Sequence, residues 1–324
     1  MPHKRQVFFN SNAQGIELLS VAVYSLLKES DPQIPLTVFV AHERTFSAGD
    51  CIDRIRGIVS RFPFATVRFL DYTPCQLEYG KVFGSILWAF PLCERLLPAD
   101  ITGNLVYLDI DMLIRKDLGE LYDMDLKSAG KIAAAVNESR REHLQYLIDA
   151  GWPEAAGYSF NNATTVVDLE AFRRARVTDR IIEWYGRYHD IALKQDQDAQ
   201  NVIYGADTLR IPPKWNYTDG WLERILKLNP FAREWRVFPP QEILEAILDP
   251  CIIHYIGRRK PTSWTHRPER KVYRKVLEEL GLLPDGRLPG ETWYRRIEGR
   301  AFDALHLMLK AYARLLLKIR SRPQ

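Results

Sequence analysis

Asn104-Leu105-Val106-Tyr107-Leu108-Asp109-Ile110-Asp111 is the stretch of sequence that decides the fold. The run Asn104–Leu108 is mostly apolar and short, which is typical of a buried strand, and two aspartates follow it directly. Residues i and i+2 of a strand point to the same side, so Asp109 and Asp111 are expected to leave the strand end together. Ligands of open α/β sheets bind at the carboxyl ends of the strands. The stretch therefore predicts a ligand site where this strand ends.

Upstream of this stretch, strand patterns and helix patterns alternate. The strand runs are Val7–Phe9, Leu36–Val40 and Ala65–Leu70, the helical runs are Leu18–Leu27, Ile52–Val59 and Ile86–Leu97, and Asn10 to Gly15 is a polar loop. Strands that alternate with helices form a mainly parallel sheet covered on its faces. We therefore expect an α/β fold: one Rossmann-like, mainly parallel sheet with helices on both faces.

Downstream, further buried runs extend this sheet. Ile132–Val136 and Thr164–Leu169 predict strands, Ala199–Tyr204 predicts a helix begun by an Asp, and Ile211–Tyr217 and Ile252–Tyr255 complete the globular part. We expect one domain over residues 1–283 and a helical tail over residues 284–324.

Composition and charge exclude several functional classes. The 324 residues include 45 Lys and Arg against 41 Asp and Glu, a net charge of +4 that is too small for a nucleic-acid-coating protein, so we expect no nucleic-acid partner. Four cysteines without a C-x-x-C pair argue against a zinc ribbon, a redox motif and a disulfide framework. With neither a signal-peptide pattern nor an apolar run of bilayer length, a cytoplasmic protein is expected.

The basic excess is concentrated in the tail. Residues 299–324 hold six basic side chains and one acidic, a net of +5, and the remainder of the chain therefore carries −1. At 100° per residue, Phe302, Leu305, Tyr312, Leu316 and Ile319 fall on one helix face and Lys310, Arg314, Lys318 and Arg322 on the opposite one. A basic amphipathic helix is typical of peripheral binding to an anionic membrane surface. A helix packed on its own domain or on a second subunit is the alternative.

Three Asp-x-Asp triplets occur, at 109/111, 123/125 and 196/198, and only the first directly follows a strong strand pattern. Two carboxylates at that place suit a hard divalent cation that would hold a diphosphate, whereas a turn or helix cap is the alternative. The run Ile252–Pro261 adds His254 at a strand end, then Gly257, then Lys260. An imidazole with two carboxylates fits Mn²⁺ better than Mg²⁺, which remains possible.

Four blocks of sequence together resemble glycosyltransferase family 8. They are Tyr107–Ile114, Phe160–Asn162, Asp196–Asn201 and His254–Pro261, in the family's order, and the resemblance covers the chain from about Val7 to Trp264. The chain looks like the retaining, UDP-sugar-dependent galactosyl- and glucosyltransferases that build lipopolysaccharide. The resemblance implies a GT-A fold and transfer of glucose or galactose from a UDP-sugar to a glycan or lipid-linked glycan acceptor at the inner face of the plasma membrane. The acceptor would be bound by the polar stretch Asn137–Tyr158 and by the residues around Trp215-Asn216-Tyr217, with plain loop and core as the alternative.

The resemblance also implies roles for individual residues. The metal ligands would be Asp109, Asp111 and His254; the donor-binding residues would be Asn10, Asn12, Asp109, Ile110, Asn161, Gly257 and Lys260; and the catalytic residues would be Asp196, Gln197 and Asp198. Asn10 and Asn12 stand where the family usually has an acidic residue near the uracil, but an Asn can still form hydrogen bonds to uracil or ribose.

Retention of configuration leaves two routes open, a covalent sugar-enzyme intermediate or attack by the acceptor from the leaving-group side. Because the Gln197 amide is a poor nucleophile, we favour the second route, with Gln197 or Asp198 stabilising positive charge on the sugar. Two other functions remain. One is a phosphatase of the haloacid dehalogenase type, which also uses Asp-x-Asp but usually has Thr or Val where this chain has Leu113. The other is a non-catalytic relative that binds a nucleotide sugar or glycan.

Overall fold

The computed structural model describes residues 5–47, 50–137, 145–152, 159–218, 237–257, 260–263, 269–283 and 286–320. Two compact units make up the chain. The first comprises Met1–Leu19, Ser30–Ile110 and Leu118–Ile211, and the second comprises Ser20–Glu29, Asp111–Asp117 and Pro212–Gln324. The boundary expected between residues 283 and 284 stays a prediction.

The described strands and α-helices alternate along most of the chain. The strands are β1 (Arg5–Ser11), β2 (Leu36–His42), β3 (Ala65–Asp71), β4 (Asn104–Leu108), β5 (Met112–Ile114), β6 (Ala133–Asn137), β7 (Phe160–Asp168), β8 (Thr208–Arg210), β9 (Tyr217–Thr218) and β10 (Ile252–His254). The α-helices are α1 (Ile16–Glu29), α2 (Arg44–Ser47), α3 (Cys51–Val59), α4 (Thr73–Tyr79), α5 (Cys93–Leu96), α6 (Gly119–Tyr122), α7 (Gln145–Asp149), α8 (Leu169–Arg174), α9 (Val177–Tyr188), α10 (Asp196–Tyr204), α11 (Pro240–Leu248), α12 (Arg270–Glu279) and α13 (Trp293–Arg320).

The first unit is built on a seven-stranded sheet in the order β3-β2-β1-β4-β7-β6-β8. Strand β7 is antiparallel to both of its neighbours, and the other neighbouring pairs are parallel. Every residue of β1 is buried, which is why the middle of the strand, Val7–Phe9, is a continuous apolar run rather than an alternating one. The prediction of a mainly parallel α/β sheet is confirmed.

Three local predictions need correction. The helix expected over Ile86–Leu97 is a 3-10 helix (Ile86–Ala89) followed by the short α5, because Pro91 has no N–H for a continuous helix. The loop expected from Asn10 to Gly15 begins later, since β1 pairs with β2 as far as Ser11. The strand expected at Thr164–Leu169 starts at Phe160 and ends at Asp168, whose carboxylate caps α8.

The second unit contains a three-stranded sheet in the order β5-β10-β9, which the sequence patterns did not predict. Strand β10 is antiparallel to β5 and parallel to β9. These strands have only two or three residues each, too few for a hydrophobic period to appear. The sheet places Asp111, just before β5, next to His254 at the end of β10.

Helix α13 forms most of the predicted tail. Its inner face includes the buried Ala313, and Lys310, expected on a solvated basic face, instead donates to the Glu269 carboxylate. Arg270 donates to the Asp303 carboxylate at 2.9 Å, a second link between α13 and the start of α12. In the described part of the chain, no helix combines the length and the hydropathy that a bilayer span requires.

Gly15, at the start of α1, leaves room for the residues that follow β4. A Cβ atom at position 15 would lie 2.5 Å from Ile110 Cδ1 and 2.7 Å from Ser11 Oγ, so both side chains would have to move. We expect Gly15→Ala to destabilise the fold by about 1–3 kcal/mol, as overpacking does. Urea unfolding, followed by circular dichroism, measures the change.

Gly57→Ala is the matched control. Gly57 lies in α3 with no atom within 4 Å of an added Cβ, so the substitution should stabilise the helix by up to about 1 kcal/mol. Equal unfolding midpoints for Gly15→Ala and the unmodified protein would contradict the close packing of Gly15 against Ile110.

Candidate active site

Asp109 lies directly beyond β4, at the carboxyl end of a central strand. Its backbone N–H donates to the Ala163 carbonyl at 2.9 Å, which extends the pairing of β4 with β7 by one residue. The Tyr107 hydroxyl donates to Asp109 Oδ1 at 2.6 Å. The Tyr107 hydroxyl, from the same strand, thus fixes the Asp109 carboxylate. The position of Asp109 therefore depends largely on local structure.

Asp111 lies two residues further on, in the second unit, and faces two nitrogen-bearing side chains. His254 Nε2 lies 3.3 Å from Asp111 Oδ1, and Lys260 donates to Asp111 Oδ2. Burial alone would raise the pKa of Asp111, but His254 and Lys260 hold that pKa well below the usual carboxyl range. The Asp111 side chain is therefore an anion across the physiological pH range.

His254 is oriented by a buried amide. Its Nδ1 lies 2.9 Å from Asn216 Oδ1, which can only accept a hydrogen bond, so Nδ1 carries the proton and Nε2 is directed at Asp111. Metal-binding histidines usually have such a partner behind them. The acceptor role expected for the residues around Asn216 stays a prediction, and the Asn216 side chain is 1% exposed and holds the imidazole. No local pattern marks this role, because Asn216 and His254 are 38 residues apart.

Asp109, Asp111 and His254 can together hold a metal ion. One ligand atom of each lies within 4.8 Å of the others, the one such group found in the described residues. Two carboxylates and an imidazole with a fixed tautomer make a donor set that fits a divalent cation of the Mn²⁺ or Mg²⁺ kind. The ligand set predicted from the sequence is therefore compatible with the structure.

The segment after β10 places backbone groups and the Lys260 ammonium next to Asp111. Tyr255 N–H donates to the Asp111 carbonyl at 3.0 Å, and Lys260 Nζ donates to the Tyr255 carbonyl at 2.9 Å. Gly257 has a φ of +92°, a conformation that side chains disfavour, which explains a glycine at this position. Residues 258 and 259 lie outside the described residues.

Asp196, Gln197 and Asp198 form the first turn of α10 rather than a loop before it. The sequence pattern began this helix at Ala199, but the helix begins at Asp196 and its N-cap residue is Gln195. The Gln195 side chain does not cap the helix, but the Asp198 carboxylate accepts the backbone N–H of Lys194 just before it, so the capping alternative holds in part for Asp198. The side chains of Asp196 and Asp198 are bonded within the first unit.

Side chains of β7 meet this turn. Asn162 donates to Asp196 Oδ2 at 2.6 Å, and Asn161 donates to Gln197 Oε1 at 3.5 Å. Asn201, one turn further along α10, bonds both the N–H and the carbonyl of Phe160. The blocks at 160–162 and 196–201 therefore form one hydrogen-bonded network.

Asp196 and Asp198 have different environments. Burial, and secondly the negative charge of Asp109, raise the pKa of Asp196 to about 7. Asp198 is 0% exposed, and its Oδ2 accepts hydrogen bonds from the Tyr146 hydroxyl and from the Lys194 backbone N–H, the latter at 2.7 Å. The sequence analysis missed Tyr146, which lies in a polar stretch without a motif.

The remaining predicted donor residues lie at the end of β1. Asn10 donates to the Ile86 carbonyl at 2.9 Å, and Asn12 Oδ1 accepts from the Gly15 N–H at 3.1 Å. Ile110 packs beside Gly15. A contact of Asn10 or Asn12 with a ligand stays a prediction. Most of the predicted acceptor stretch, residues 138–144 and 153–158, lies outside the described residues.

Comparison with known proteins was made for the whole chain. Residues 7–266 match the profile of Glycosyl transferase family 8. General stress protein A of Bacillus subtilis (strain 168) is 26% identical over 181 residues, which are 55% of this chain and 59% of that protein. Lipopolysaccharide 1,2-glucosyltransferase of Escherichia coli (strain K12) is 26% identical over 212 residues, 64% of this chain and 57% of that protein. The chain thus spans less than two thirds of either relative.

Solved structures with similar folds were also found. The galactosyltransferase LgtC, in complex with donor and acceptor sugar analogs, superposes with a TM-score of 0.61 at 21% identity, covering 85% of this chain and 95% of that one. The WbbM bifunctional glycosyltransferase gives a TM-score of 0.66 at 16% identity over 86% of this chain and 50% of that one. At these identities the likeness shows the fold alone.

Loss of the contact between Lys260 and Asp111 should have opposite effects on metal binding and on nucleotide binding. The ammonium competes with a divalent cation for the Asp111 carboxylate, and it can also bind an anionic ligand held by that cation. We expect Lys260→Met to tighten Mn²⁺ binding to the protein alone about fivefold, which is the loss of a competing contact of about 1 kcal/mol. The same substitution should weaken UDP binding in the presence of Mn²⁺.

Electron paramagnetic resonance of free Mn²⁺ measures the first effect, and isothermal titration of UDP measures the second. Lys116→Met is the control, because Lys116 pairs with the exposed Asp249 in the same unit and outside the site. Unchanged or weaker Mn²⁺ binding by Lys260→Met would show that the ammonium does not compete for Asp111.

Proposed function

Because this chain belongs to glycosyltransferase family 8 and has the GT-A fold, we propose that it is a retaining hexosyltransferase that moves glucose or galactose from a UDP-sugar to a hydroxyl of a glycan. The match to the family covers residues 7–266 and includes every residue predicted to act. The observation that carries the proposal is the grouping of Asp109, Asp111 and His254 beside Lys260. The phosphatase alternative loses its support, since the family match accounts for the Asp-x-Asp pattern.

The residues proposed to hold a divalent cation are Asp109, Asp111 and His254. When bound there, Mn²⁺ or Mg²⁺ would supply positive charge next to the diphosphate of the donor. Lys260 would add a second positive charge on moving from Asp111 to a phosphate oxygen, and the backbone at Gly257 can approach the same group because no side chain intervenes. These charges would stabilise the negative charge that develops on the leaving UDP.

The network on α10 and β7 is proposed to line the donor sugar. Asn161 holds the Gln197 amide by a hydrogen bond to its oxygen, and we propose that this amide faces the anomeric carbon. Because an amide is a poor nucleophile, the favoured route is attack by the acceptor hydroxyl from the leaving-group side. The hydroxyl proton would pass to the departing phosphate oxygen, and Gln197 or Asp198 would stabilise positive charge on the sugar.

The buried position of Asp198 supports this route over a covalent one. One of its oxygens already accepts two hydrogen bonds, and a carboxylate so engaged is a weaker nucleophile than a free one. Asp198 is therefore proposed to act by its charge. Chemical trapping of a sugar on Asp198 in the unmodified protein would speak for the double-displacement route instead.

The acceptor is proposed to be a lipopolysaccharide core or a lipid-linked oligosaccharide. One curated relative carries the name lipopolysaccharide 1,2-glucosyltransferase, which supports an acceptor of this class. Such acceptors lie at a membrane, and the protein is proposed to work in the cytoplasm as a peripheral protein at the inner face of the plasma membrane.

A panel of UDP-hexoses tests the proposed function. With Mn²⁺, we expect release of UDP and transfer of one hexose class, and we expect Asp111→Asn to lower this rate by at least about 100-fold because a ligand and a buried charge are lost. The control is Asp123→Asn, which alters an exposed aspartate of another Asp-x-Asp triplet and should leave the rate unchanged. Phosphate release from simple esters would indicate a phosphatase, and donor binding without UDP release would indicate a binding protein.

The outer face of α13 is proposed to contact anionic lipid. Its exposed apolar side chains follow one face of the helix at spacings of three and four residues, among them Leu305, Met308, Tyr312 and Leu315, with Met308 68% exposed. The exposed Arg300, Arg314 and Lys318 lie along one border of that face, and no exposed side chain from 300 to 318 is acidic. Apolar side chains bordered by cations complement a negatively charged bilayer surface.

Vesicle sedimentation tests this contact. The protein should bind vesicles that contain phosphatidylglycerol more tightly than phosphatidylcholine vesicles, and replacing Leu305, Met308 and Leu315 together by Ser should lower that binding at least about tenfold, since apolar burial scales with area. These side chains are exposed, so the variant should keep its melting temperature. A matched Ser triple at the exposed Leu77, Leu87 and Leu193 is the control. Equal binding by both triple variants would contradict the proposed contact.

A further inference from the structure

The Asp198 carboxylate is held by a residue from a distant part of the chain. Tyr146 precedes Asp198 by 52 residues, and its hydroxyl donates to Asp198 Oδ2, the same oxygen that accepts the Lys194 N–H. Asp198 is fully buried, and a buried carboxylate is costly unless donors face it. The hydroxyl is therefore an important part of what keeps Asp198 in place as an anion.

The position of Tyr146 is itself fixed by packing. Tyr146 lies on the single turn of α7, next to Leu147, which is 0% exposed. The turn continues to Trp152, whose ring lies edge-on to Tyr188 at 4.6 Å and to Trp184 at 5.5 Å, both on α9. Because α7 is anchored by these contacts, the Tyr146 hydroxyl approaches Asp198 from a fixed direction.

The first turn of α10 connects this contact with the site. Asp198 follows Gln197 directly, and Gln197 bonds Asn161 of β7 through its side chain and Asn201 through its carbonyl. A change in the rotamer or charge of Asp198 would shift the turn that presents Gln197. Shifts of about 1 Å in such a group can cost about 100-fold in rate.

We propose that Tyr146 is a positioning residue of the transfer reaction: its hydroxyl holds Asp198, and through Asp198 the turn that presents Gln197 to the donor sugar. Tyr146 makes no contact with the predicted metal ligands, and it acts through Asp198 rather than on the reacting atoms. The inference rests on the proposed function, because it assigns a role within that reaction.

The groups around Asp198 predict how loss of the Tyr146 hydroxyl changes the pH dependence of the reaction. In the described part of the chain, the titratable groups that interact with Asp198 include Tyr146 on α7 and Tyr185 on α9, and Asp196 lies two residues before it on the same helix. Burial, followed by the bond to Asp198, raises the pKa of Tyr146, so the phenol remains a donor throughout the working range. A hydrogen bond to a carboxylate stabilises its charged form, so loss of the hydroxyl disfavours the Asp198 anion.

Tyr146→Phe tests the proposal because it keeps the ring and removes only the hydroxyl. We expect kcat for hexose transfer to fall about 10- to 100-fold while KM for the UDP-sugar changes less than about threefold. The acidic limb of the kcat profile should move to higher pH, so that part of the loss is recovered as the pH rises. A purely structural role for the hydroxyl would not produce this recovery.

A double-mutant cycle and a control complete the experiment. In an Asp198→Asn background, Tyr146→Phe should add almost nothing, because the residue through which it acts has already been altered. Tyr188→Phe, which changes another tyrosine packed on Trp152, should leave kcat and its pH profile unchanged. Thermal melts of all variants show whether each one folds.

The possible results distinguish a failure of the positioning role of Tyr146 from a failure of the proposed function. Wild-type kcat and pH profile in Tyr146→Phe, or independent effects of Tyr146→Phe and Asp198→Asn, would overturn the positioning role while leaving hexose transfer intact. No transfer by the unmodified protein with any UDP-hexose and Mn²⁺ would overturn the proposed function, and the role of Tyr146 would fall with it.

Discussion

Asp111 is the residue on which the candidate site depends, because it is an anion taken largely out of water beside the His254 imidazole and the Lys260 ammonium. Such a carboxylate must be compensated, and His254 and Lys260 provide the compensation in the second unit. The same pairing makes Asp111 available to a divalent cation, since a cation can replace the ammonium without leaving the charge unpaired. The short β5-β10-β9 sheet makes this pairing possible, because it places Asp111 next to His254.

The first unit contributes a network of a different chemical kind. Its site residues are mostly neutral amides and bonded carboxylates on β7 and α10, with Asn161, Gln197 and Asn201 holding one another. Amides fixed in this way can recognise sugar hydroxyls through both donors and acceptors. Under the proposed function, the charged residues would bind the diphosphate of the donor and the amides would bind its sugar.

The sequence predicted those features that depend on residues close together in the chain. The strand before Asp109 and the Asp-x-Asp spacing are local, and four blocks in family order identified the fold. The contacts of Asn216 with His254 and of Tyr146 with Asp198 join residues 38 and 52 positions apart, and no spacing rule reports them. Likewise, periodicity showed that α13 is amphipathic, but only packing showed that Lys310 faces inward to Glu269.

Anomalous diffraction at the manganese edge, from crystals soaked with Mn²⁺ and UDP, would locate the metal and the nucleotide in one experiment. We expect one strong peak within coordination distance of the Asp109 and Asp111 carboxylates and His254 Nε2, with phosphate oxygens on its open side and Lys260 moved from Asp111 to the nucleotide. A peak elsewhere, or UDP bound with Lys260 still on Asp111 and no metal at this group, would contradict this expectation.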